Sequence, residues 1–495
     1  MPNQPHSKAY LAFDFGAESG RAVLARLEGG ILSTEELHRF PNEPVEYGES
    51  LHWDVPRLWL EVRKALACVN ERHLSGIGVD AWGVDYALLG GRGELLQNPY
   101  HYRDVRTRGM MEEVFSKVPQ EEIYAATGIQ FMPINTLYQL YAAQRDTPSI
   151  VAAAKQLVTI PDLFNYWLTG RAVCEFTNAT TTQLVDPVQR TWATELMQKL
   201  GFRPDLPAPI VEPGTVIGKL RRSIAQDSSL ANIPVIAPAC HDTGSAVAAI
   251  TARDGTAFIS SGTWSLVGTE LDAPIATPQA LKANFTNEGG VNGTTRFLKN
   301  VMGLWMLQGC RNCWSARGQA FEYKELVELA SRESGFLHLI DPDDESFLRS
   351  SDMPGAIDSF CDRTHQPAPK TPAAYVRCVL ESLALKYRLV VRNLEQLCGK
   401  RIQQIRVIGG GSKNRLLNQF TADATGRRVL AGPVEATALG NVAIQILATG
   451  EASSLEEVRA IVDRSFATEI FEPVDTDKWE QAGERFEQYC GMIYA

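Results

Sequence analysis

Two segments of the same design, one in each half of the chain, constrain the fold more than any other feature of this sequence. In the first, residues 10–15 (YLAFDF) form an apolar strand that turns at residues 16–20 (GAESG) and continues as a second strand. In the second, a strand over 256–260 turns at residues 261–263 (SGT) and returns as a strand over 264–271. Short apolar strands joined by tight Gly/Ser turns predict hairpins within a β-sheet.

The segments around these hairpins alternate between strand-like and helix-like patterns. Apolar spacing predicts strands over 31–40, 75–81, 84–89, 234–239, 404–408 and 427–431. It predicts helices over 55–73, across 107–145, and over 244–252, 371–399, 414–425 and 437–449. Because hairpins occur beside strand–helix alternation in both halves, we expect the α/β class with mixed sheets. A chain of 495 residues is too long for one core, which predicts two or three domains.

Composition disfavours several classes of function. The formal net charge of −10 and the isoelectric point near 5.5 argue against a general binder of nucleic acid or anionic membrane. No apolar run approaches the roughly 20 residues that cross a bilayer, and the first residues have no apolar signal core. We therefore expect a cytoplasmic protein with no nucleic-acid or membrane partner.

The nine cysteines are scattered and odd in number, which favours reduced thiols. Cys361 is predicted in a loop and Cys378 in the long helix over 371–399. A disulfide between these two is an alternative that a reducing compartment disfavours, so we expect two free thiols.

The first hairpin carries residues suited to binding phosphate. Gly16 and Gly20 permit a tight or positive-φ backbone, so successive N–H groups can converge on phosphate oxygens. Asp14, at the end of the strand, is placed to orient Mg²⁺ through bound water. The second hairpin, at residues 260–263 (SSGT), is suited to hold further phosphate oxygens. An ordinary hairpin turn competes with this interpretation at each motif taken alone.

Two further motifs lie where a strand meets a helix. His241-Asp242-Thr243 fits a carboxylate that accepts the proton of a substrate hydroxyl, with a plain helix N-cap as the alternative. Three glycines at 409–411 let the backbone approach a flat ligand such as adenine, or simply form a turn. GxxxxGK[ST], a strand-linked GxGxxG, GxSxG and HExxH are all missing, which disfavours P-loop enzymes, dinucleotide dehydrogenases and the standard hydrolases.

These four motifs, in this order and in a chain of this length, resemble the actin/hexokinase/Hsp70 ATPase superfamily and, within it, the FGGY carbohydrate kinases. The resemblance runs over nearly the whole chain and is most specific in DFGAESGRAVL (14–24), GVDAWGVDYALL (78–89) and NEGGVNGTTRFLKNVMGLWMLQ (287–308). GPVEATALGN (432–441) fits the general family pattern. The resemblance implies two actin-like ATPase domains with mixed sheets flanked by helices, separated by a catalytic cleft. Residues 1–252 would form the sugar and phosphate side, and 253–495 the nucleotide side.

The resemblance also implies a role for each candidate residue. Asp242 would be the general base, with Gly83, His241 and Thr243 beside the sugar, and Asp14 would hold the metal. The sugar side would also include Trp82 and Asp85. ATP would lie against Ala17, Glu18, Ser19, Gly20 and Arg21, with Thr263, Asn300, Gln308 and Gly410 completing the nucleotide site. Asn300 and Gln308 are expected near one face of a single helix, because they are eight residues apart.

The implied reaction is phosphorylation of a small-molecule ketose by ATP with Mg²⁺. The three specific stretches favour L-rhamnulose, phosphorylated at its C1 hydroxyl in L-rhamnose catabolism, with L-fuculose and L-xylulose as alternatives. An ATP-driven switch of the actin or Hsp70 type is a further alternative that would need no sugar pocket. We expect a monomer or weak homodimer whose halves close on each other when sugar and nucleotide are bound.

Overall fold

The computed structural model describes residues 7–71, 73–225, 230–348 and 350–494. The chain forms two compact units. Unit 1 comprises Met1–Thr251, Glu270–Phe297 and Ala436–Phe466, and unit 2 comprises Ala252–Thr269, Leu298–Glu435 and Ala467–Ala495. The proposed division into domains at residue 252 stays a prediction, because these compact units are not continuous in the chain.

The described residues contain strands and helices in alternation. The strands are β1 Lys8–Phe15, β2 Ser19–Glu28, β3 Ile31–Pro41, β4 Pro44–Tyr47, β5 Ser50–Trp53, β6 Leu74–Ala81, β7 Tyr86–Leu89, β8 Gln156–Thr159, β9 Cys174–Glu175, β10 Val185–Asp186, β11 Thr191–Trp192, β12 Ile210–Val211, β13 Val216–Lys219, β14 Pro234–Ile236, β15 Thr256–Ser261, β16 Trp264–Leu271, β17 Thr286–Gly289, β18 Thr295–Met302, β19 Gln404–Ile408, β20 Arg428–Ala431 and β21 Glu469–Phe471. The helices are α1 Val55–Ala67, α2 Met110–Phe115, α3 Gln120–Thr127, α4 Thr136–Asp146, α5 Pro148–Ala153, α6 Ile160–Thr169, α7 Phe176–Thr180, α8 Thr194–Lys199, α9 Asp242–Ala248, α10 Pro278–Lys282, α11 Trp305–Ala316, α12 Tyr323–Ser331, α13 Glu345–Leu348, α14 Met353–Arg363, α15 Pro372–Cys398, α16 Arg415–Thr425, α17 Ala436–Ala448, α18 Leu455–Ser465 and α19 Thr476–Tyr494. The predicted α/β class with mixed sheets is confirmed.

Each unit is built on a sheet of the same design. In unit 1 the strand order is β13–β14–β6–β1–β2–β3, and in unit 2 the matching strands follow β21–β20–β19–β15–β16–β18. In both sheets a hairpin strand pairs antiparallel with the next strand and parallel with a later one, as β1 does with β2 and β6, and β15 with β16 and β19. The duplication indicated by the two hairpins therefore extends to six strands of each sheet.

Local sequence explains where the best-defined helices begin and end. The Thr371 side chain caps α15 by accepting a hydrogen bond from the Ala374 N–H, Pro372 occupies the first turn, and Gly399 ends the helix at φ 64°. Asp54 caps α1 in the same way, with Pro56 in the first turn. This helix ends at Ala67 rather than at the predicted residue 73, because the chain leaves helical geometry after Cys68 to enter β6.

Other local predictions also differ from the structure. The helix predicted over 244–252 is α9, which begins at Asp242 and ends at Ala248. Asn300 lies in β18 and not on the helix that carries Gln308, because the N–H groups of Gly303 and Leu304 bond the turn at 262–263 and separate β18 from α11. Cys361 lies in α14 rather than in a loop.

Cys361 and Cys378 are both free, and both are buried. Burial raises the pKa of Cys361 to about 11 and that of Cys378 well above the ordinary value, so neither thiol ionises near neutral pH. Among the described helices, none is both long enough and apolar enough to cross a membrane.

Candidate active site

The site in unit 1 is built at the carboxyl ends of three neighbouring parallel strands. Asp14 lies near the end of β1 and Asp80 near the end of β6, paired across the two strands. The chain that leaves β14 forms a parallel bridge from His241 to Ala81, and the Ala81 N–H donates to the Cys240 carbonyl at 2.9 Å. Ligands of open α/β sheets bind where such strands end, so these residues mark the candidate site.

The first hairpin turn is shorter than the sequence indicates. Only residues 16–18 lie outside the strands, and the Gly16 N–H donates to the Ser19 carbonyl at 2.9 Å. Among the predicted phosphate residues, Ala17 and Glu18 lie in the turn, whereas Ser19, Gly20 and Arg21 begin β2. Glu18 is exposed.

Neither Gly16 nor Gly20 has a positive φ, so of the two expected possibilities the structure has the tight turn. A Cβ at Gly20 would lie 2.3 Å from the Phe40 ring and 2.8 Å from the Phe15 ring. Gly20 is therefore required because two aromatic rings pack against it, whatever the backbone binds.

Three carboxylates concentrate negative charge at these strand ends. Arg21 donates to Asp14 Oδ2 from both Nε (2.9 Å) and Nη2 (2.7 Å). Burial raises the pKa of Asp80 well above its ordinary value, and the charges of Asp14 and Asp242 add to this effect. The Asn441 amide, on α17, donates to Asp80 Oδ2 at 2.6 Å, which opposes the shift.

Asp242 is the first residue of α9, and His241 holds the N-cap position. Burial raises the pKa of Asp242, the His241 ring lowers it, and Asp14 raises it further. Its side chain is nevertheless 32% exposed. A carboxylate that is surrounded by protein yet reached by solvent lies in a recess, which is where a base must meet its substrate. Thr243 is buried and donates to Asp242 Oδ1 from its backbone N–H and from its hydroxyl.

A buried ion pair lies behind Asp242. Arg296, on β18, has its Nη1 at 3.1 Å from Glu288 Oε2 on β17, and Arg296 Nη2 lies 3.1 Å from His241 Nδ1. Burial lowers the pKa of Arg296 and the Glu288 carboxylate raises it. His241 Nε2 in turn lies 3.4 Å from Asp242 Oδ1. Glu288 and Arg296 lie in the stretch 287–308 that carries the family resemblance, but the sequence alone predicts no role for either.

The loop after β6 holds Val84, the residue after Gly83, in a strained conformation. Val84 has φ 66°, a region that a β-branched residue rarely adopts. Thr181 Oγ1 accepts a hydrogen bond from the Val84 N–H at 2.9 Å, and a Cβ at Gly83 would lie 2.9 Å from that same oxygen. Because of this strained backbone, the strand predicted over 84–89 begins only at Tyr86.

Asp85, in the same loop, is held by three side-chain hydrogen bonds. It is fully buried and accepts hydrogen bonds from Trp53 Nε1 (2.6 Å), Trp82 Nε1 (3.0 Å) and Gln139 Nε2 (2.7 Å). The rings of Trp53 and Trp82 lie 4.2 Å apart. Asp85 therefore fixes a tryptophan pair beside Gly83, and its role in the structure is to orient the wall of the site.

The remaining candidates lie in unit 2, around the β15–β16 turn. The Thr263 carbonyl accepts hydrogen bonds from Gly303 N–H (3.1 Å) and Trp305 N–H (3.2 Å), which tie the turn to the segment between Asn300 and Gln308. Gln308 contacts Asn312 and Arg311 on its own helix. Gly410 follows β19 and is exposed.

The glycine triplet packs on this same turn. Gly409 has φ 81°, and a Cβ at Gly411 would lie 2.0 Å from Ser261 Oγ. A Cβ at Gly410 would meet nothing within 4 Å. Structure therefore requires Gly409 and Gly411 to be glycine, whereas Gly410 has no such constraint within the described residues.

The carboxylates of unit 1 suit a divalent cation that is shared with phosphate. Asp80 Oδ1 is buried without a hydrogen-bond partner among the described residues, close to the charges of Asp14 and Asp242. In the described part of the chain, no three Asp, Glu, His or Cys side chains could hold a metal ion by themselves. Mg²⁺ commonly takes one or two carboxylates and completes its shell with water and substrate phosphates, so these residues fit it.

Comparison with known proteins identifies the class. The FGGY family of carbohydrate kinases matches through its N-terminal domain at residues 9–249 and through its C-terminal domain at residues 257–449. The chain therefore belongs to the FGGY family of carbohydrate kinases. It is a carbohydrate kinase that takes its phosphoryl group from ATP.

Individual relatives and solved structures show which carbohydrate kinases this chain is similar to in sequence and in fold. The chain is 44% identical to a rhamnulokinase of Bacteroides thetaiotaomicron over 476 residues, covering 96% of this chain and 97% of the relative. It is 42% identical to a rhamnulokinase of Oceanobacillus iheyensis, covering 92% and 96%. Among solved structures, a ligand-bound xylulose kinase from Lactobacillus acidophilus superposes with a TM-score of 0.80 at 16% identity, covering 98% of both chains. A Plasmodium falciparum glycerol kinase with ADP superposes with a TM-score of 0.77 at 15% identity, also covering 98% of both. The structures confirm the expected actin-like kinase fold.

Proposed function

We propose that this carbohydrate kinase phosphorylates L-rhamnulose at its C1 hydroxyl, giving L-rhamnulose 1-phosphate and ADP. Full-length similarity above 40% identity to two rhamnulokinases supports the choice of sugar. The recessed Asp242 carboxylate, with raised pKa and a helix N-terminus beneath it, supports the reaction.

Asp242 is the general base of the proposed reaction. It accepts the proton of the C1 hydroxyl while that oxygen forms its bond to the γ-phosphorus and the bond from this phosphorus to the ADP oxygen breaks. Gly83, His241 and Thr243 are proposed to contact the sugar. The fixed Trp82 ring offers an apolar face beside Gly83, which suits the methyl end of a deoxy sugar.

The phosphate side of the proposal uses the remaining candidates. Asp14 and the turn residues Ala17, Glu18, Ser19, Gly20 and Arg21 are proposed to face the transferred phosphate, and Thr263, Asn300, Gln308 and Gly410 to bind the nucleotide. Mg²⁺, held through Asp14 with Asp80 beside it, supplies positive charge to the phosphoryl oxygens when bound. Arg21 supplies a second positive charge, and its bond to Asp14 keeps its guanidinium at the strand end.

The Asp242→Asn variant tests the base. We expect kcat to fall by about 10²–10⁴-fold, because an amide cannot take the hydroxyl proton. Asparagine keeps an Oδ1 that accepts from Thr243, so the melting temperature should stay close to that of the wild type. Asp205→Asn, which removes an exposed carboxylate, is the matched control and should retain full activity.

A panel of ketoses tests the sugar. ADP production is measured with L-rhamnulose, L-fuculose and L-xylulose, and the phosphorylated carbon is assigned by phosphorus–proton coupling in the product. The highest kcat/KM should belong to L-rhamnulose, with phosphate on C1. A higher kcat/KM for either other ketose would reject the proposed substrate, and near wild-type kcat in Asp242→Asn would reject the proposed base.

A further inference from the structure

We propose that Arg296 is a positioning residue that places the single hydrogen of the neutral His241 ring on Nε2, where it points at Asp242. The proposal deepens the assignment of Asp242 as the base and rests on it. It also assigns the two oxygens of Asp242 different tasks.

The contacts of Arg296 hold its guanidinium in one orientation. The side chain is 1% exposed, its Nε donates to the Gly289 carbonyl at 2.9 Å, and its Nη1 faces Glu288 Oε2 at 3.1 Å. With one hydrogen bond and one ion pair holding the guanidinium, Nη2 is directed at His241 Nδ1, at 3.1 Å. The His241 backbone is held as well, because its N–H donates to Thr177 Oγ1 at 3.1 Å.

A guanidinium can only donate hydrogen bonds, and this decides between the two ring tautomers. With a hydrogen on Nδ1, the ring would donate to Glu288 Oε2 at 3.2 Å, but an Arg296 N–H would then face another N–H at 3.1 Å. With the hydrogen on Nε2, Arg296 donates to Nδ1, Glu288 pairs with Arg296, and Nε2–H faces Asp242 Oδ1 at 3.4 Å. Only the second arrangement leaves no N–H of Arg296 facing an N–H of the His241 ring.

This arrangement directs three donors to the same oxygen of the base. The Thr243 N–H, the Thr243 hydroxyl and His241 Nε2–H all approach Asp242 Oδ1. Oδ1 is therefore held in place, and Oδ2 is the oxygen that takes the proton of the sugar hydroxyl. Fixing one carboxylate oxygen so that the other meets the substrate is the pre-organisation a general base needs.

The tautomer is measured by nuclear magnetic resonance on the full-length protein labelled with ¹⁵N-histidine. Two-bond and three-bond couplings between the carbon-bound protons of the ring and its two nitrogens distinguish Nδ1–H from Nε2–H. The signals that disappear in the His241→Asn variant are those of His241. We expect Nε2–H in the wild-type protein. Nδ1–H in the wild type overturns the proposal without any variant.

Variants then test whether Arg296 is the cause. Arg296→Met combined with Glu288→Gln removes the donor without leaving a buried charge, and should lose the Nε2–H signature with a fall in kcat of about 10–100-fold. Arg296→Lys keeps a donor-only cation and should retain the Nε2–H signature. Glu288→Gln alone keeps the guanidinium and is expected to retain it too. Arg317→Met, at an exposed arginine, controls for loss of a cation.

The outcomes separate this proposal from that of the base. An unchanged Nε2–H signature in the folded double variant would overturn the role of Arg296 even if Asp242 is the base. A tautomer that follows Arg296 in a protein whose Asp242→Asn variant stays active would uphold the ring geometry and reject the base. If the double variant does not fold, the wild-type tautomer and Arg296→Lys decide the question.

Discussion

Asp85 shows how one buried side chain can make stability depend on pH. Burial raises its pKa to about 6, against hydrogen bonds from Gln139, Trp53 and Trp82 that lower it. The folded protein therefore holds a proton on Asp85 up to about pH 6, whereas the unfolded chain releases it near the ordinary value of 3.8. Between these values the unfolded state binds fewer protons, so stability falls as pH rises.

We expect the wild type to lose about 2 kcal/mol of unfolding free energy relative to Asp85→Asn between pH 4.5 and 6. The variant is less stable overall, because its amide cannot accept from every donor around it, but it lacks this titration. Urea unfolding at several pH values measures the difference in unfolding free energy between the wild type and the variant. The contributions of all other titrating groups cancel in this difference. Asp54→Asn, at an exposed helix cap, is the control. Parallel pH curves for wild type and Asp85→Asn would contradict the prediction.

Single residues also show what one sequence can and cannot reveal. Asp14, His241 and Asp242 are candidates from the sequence alone because they stand at the ends of predicted strands, and a strand pattern is local. Asp80 also stands near the end of a predicted strand, but the sequence alone does not show that it pairs with Asp14 across the sheet. Nothing local distinguishes the buried charges of Glu288 and Arg296 from charges at the surface. Gly20 was attributed to phosphate binding, yet the Phe40 ring, which comes from another strand, is what excludes a side chain there.

At the scale of elements, the contact between α9 and α17 holds the site in unit 1 together. α9 begins with Asp242, and α17 supplies Asn441, which bonds Asp80. The two helices approach so closely that a Cβ at Gly440 would lie 1.6 Å from the Ser245 carbonyl oxygen. That neighbour is backbone, so only separation of the helices could make room.

We therefore expect Gly440→Ala to lower the unfolding free energy by about 3 kcal/mol, at the upper end of overpacking costs. Urea unfolding checks the value, and the KM for the sugar should rise because Asp242 moves with α9. Gly483→Ala is the matched control in another helix, where the added Cβ meets only the flexible end of Arg388 at 3.0 Å. The unfolding free energy of that variant should stay within about 1 kcal/mol of the wild-type value. Equal stability of the two variants would show that the helices adjust.

Elements with strong local signals were predicted well. β1 and α15 match because a buried strand and a capped amphipathic helix are encoded within their own residues. The sequence alone predicts that Asn300 and Gln308 share one helix, whereas the structure places Asn300 in β18. What decides it is pairing with a distant turn at 262–263, which no local pattern contains.

At the scale of the whole molecule, the candidate residues divide by unit. Unit 1 contains the sugar and phosphate candidates, which are Asp14, residues 17–21, Gly83 and residues 241–243. Unit 2 contains the nucleotide candidates, which are Thr263, Asn300, Gln308 and Gly410. The sequence predicted two domains with these tasks. It did not predict that segments 270–297 and 436–466 pack within unit 1, because that depends on contacts between residues far apart in the chain.

This division makes Gly410 a test of the nucleotide side alone. Because a Cβ at Gly410 meets nothing within 4 Å, a large side chain there should leave the fold intact and block only a ligand that approaches the backbone. We expect Gly410→Leu to keep the wild-type melting temperature and sugar affinity, while the KM for ATP rises at least about 10-fold, the effect of losing about 1.4 kcal/mol of binding. Gly91→Leu, at an exposed glycine of unit 1, should change neither KM. Gly411→Ala, which meets Ser261 Oγ at 2.0 Å, should instead lower the melting temperature. An unchanged KM for ATP in Gly410→Leu would remove Gly410 from the nucleotide site, and a changed sugar affinity would refute the division of tasks.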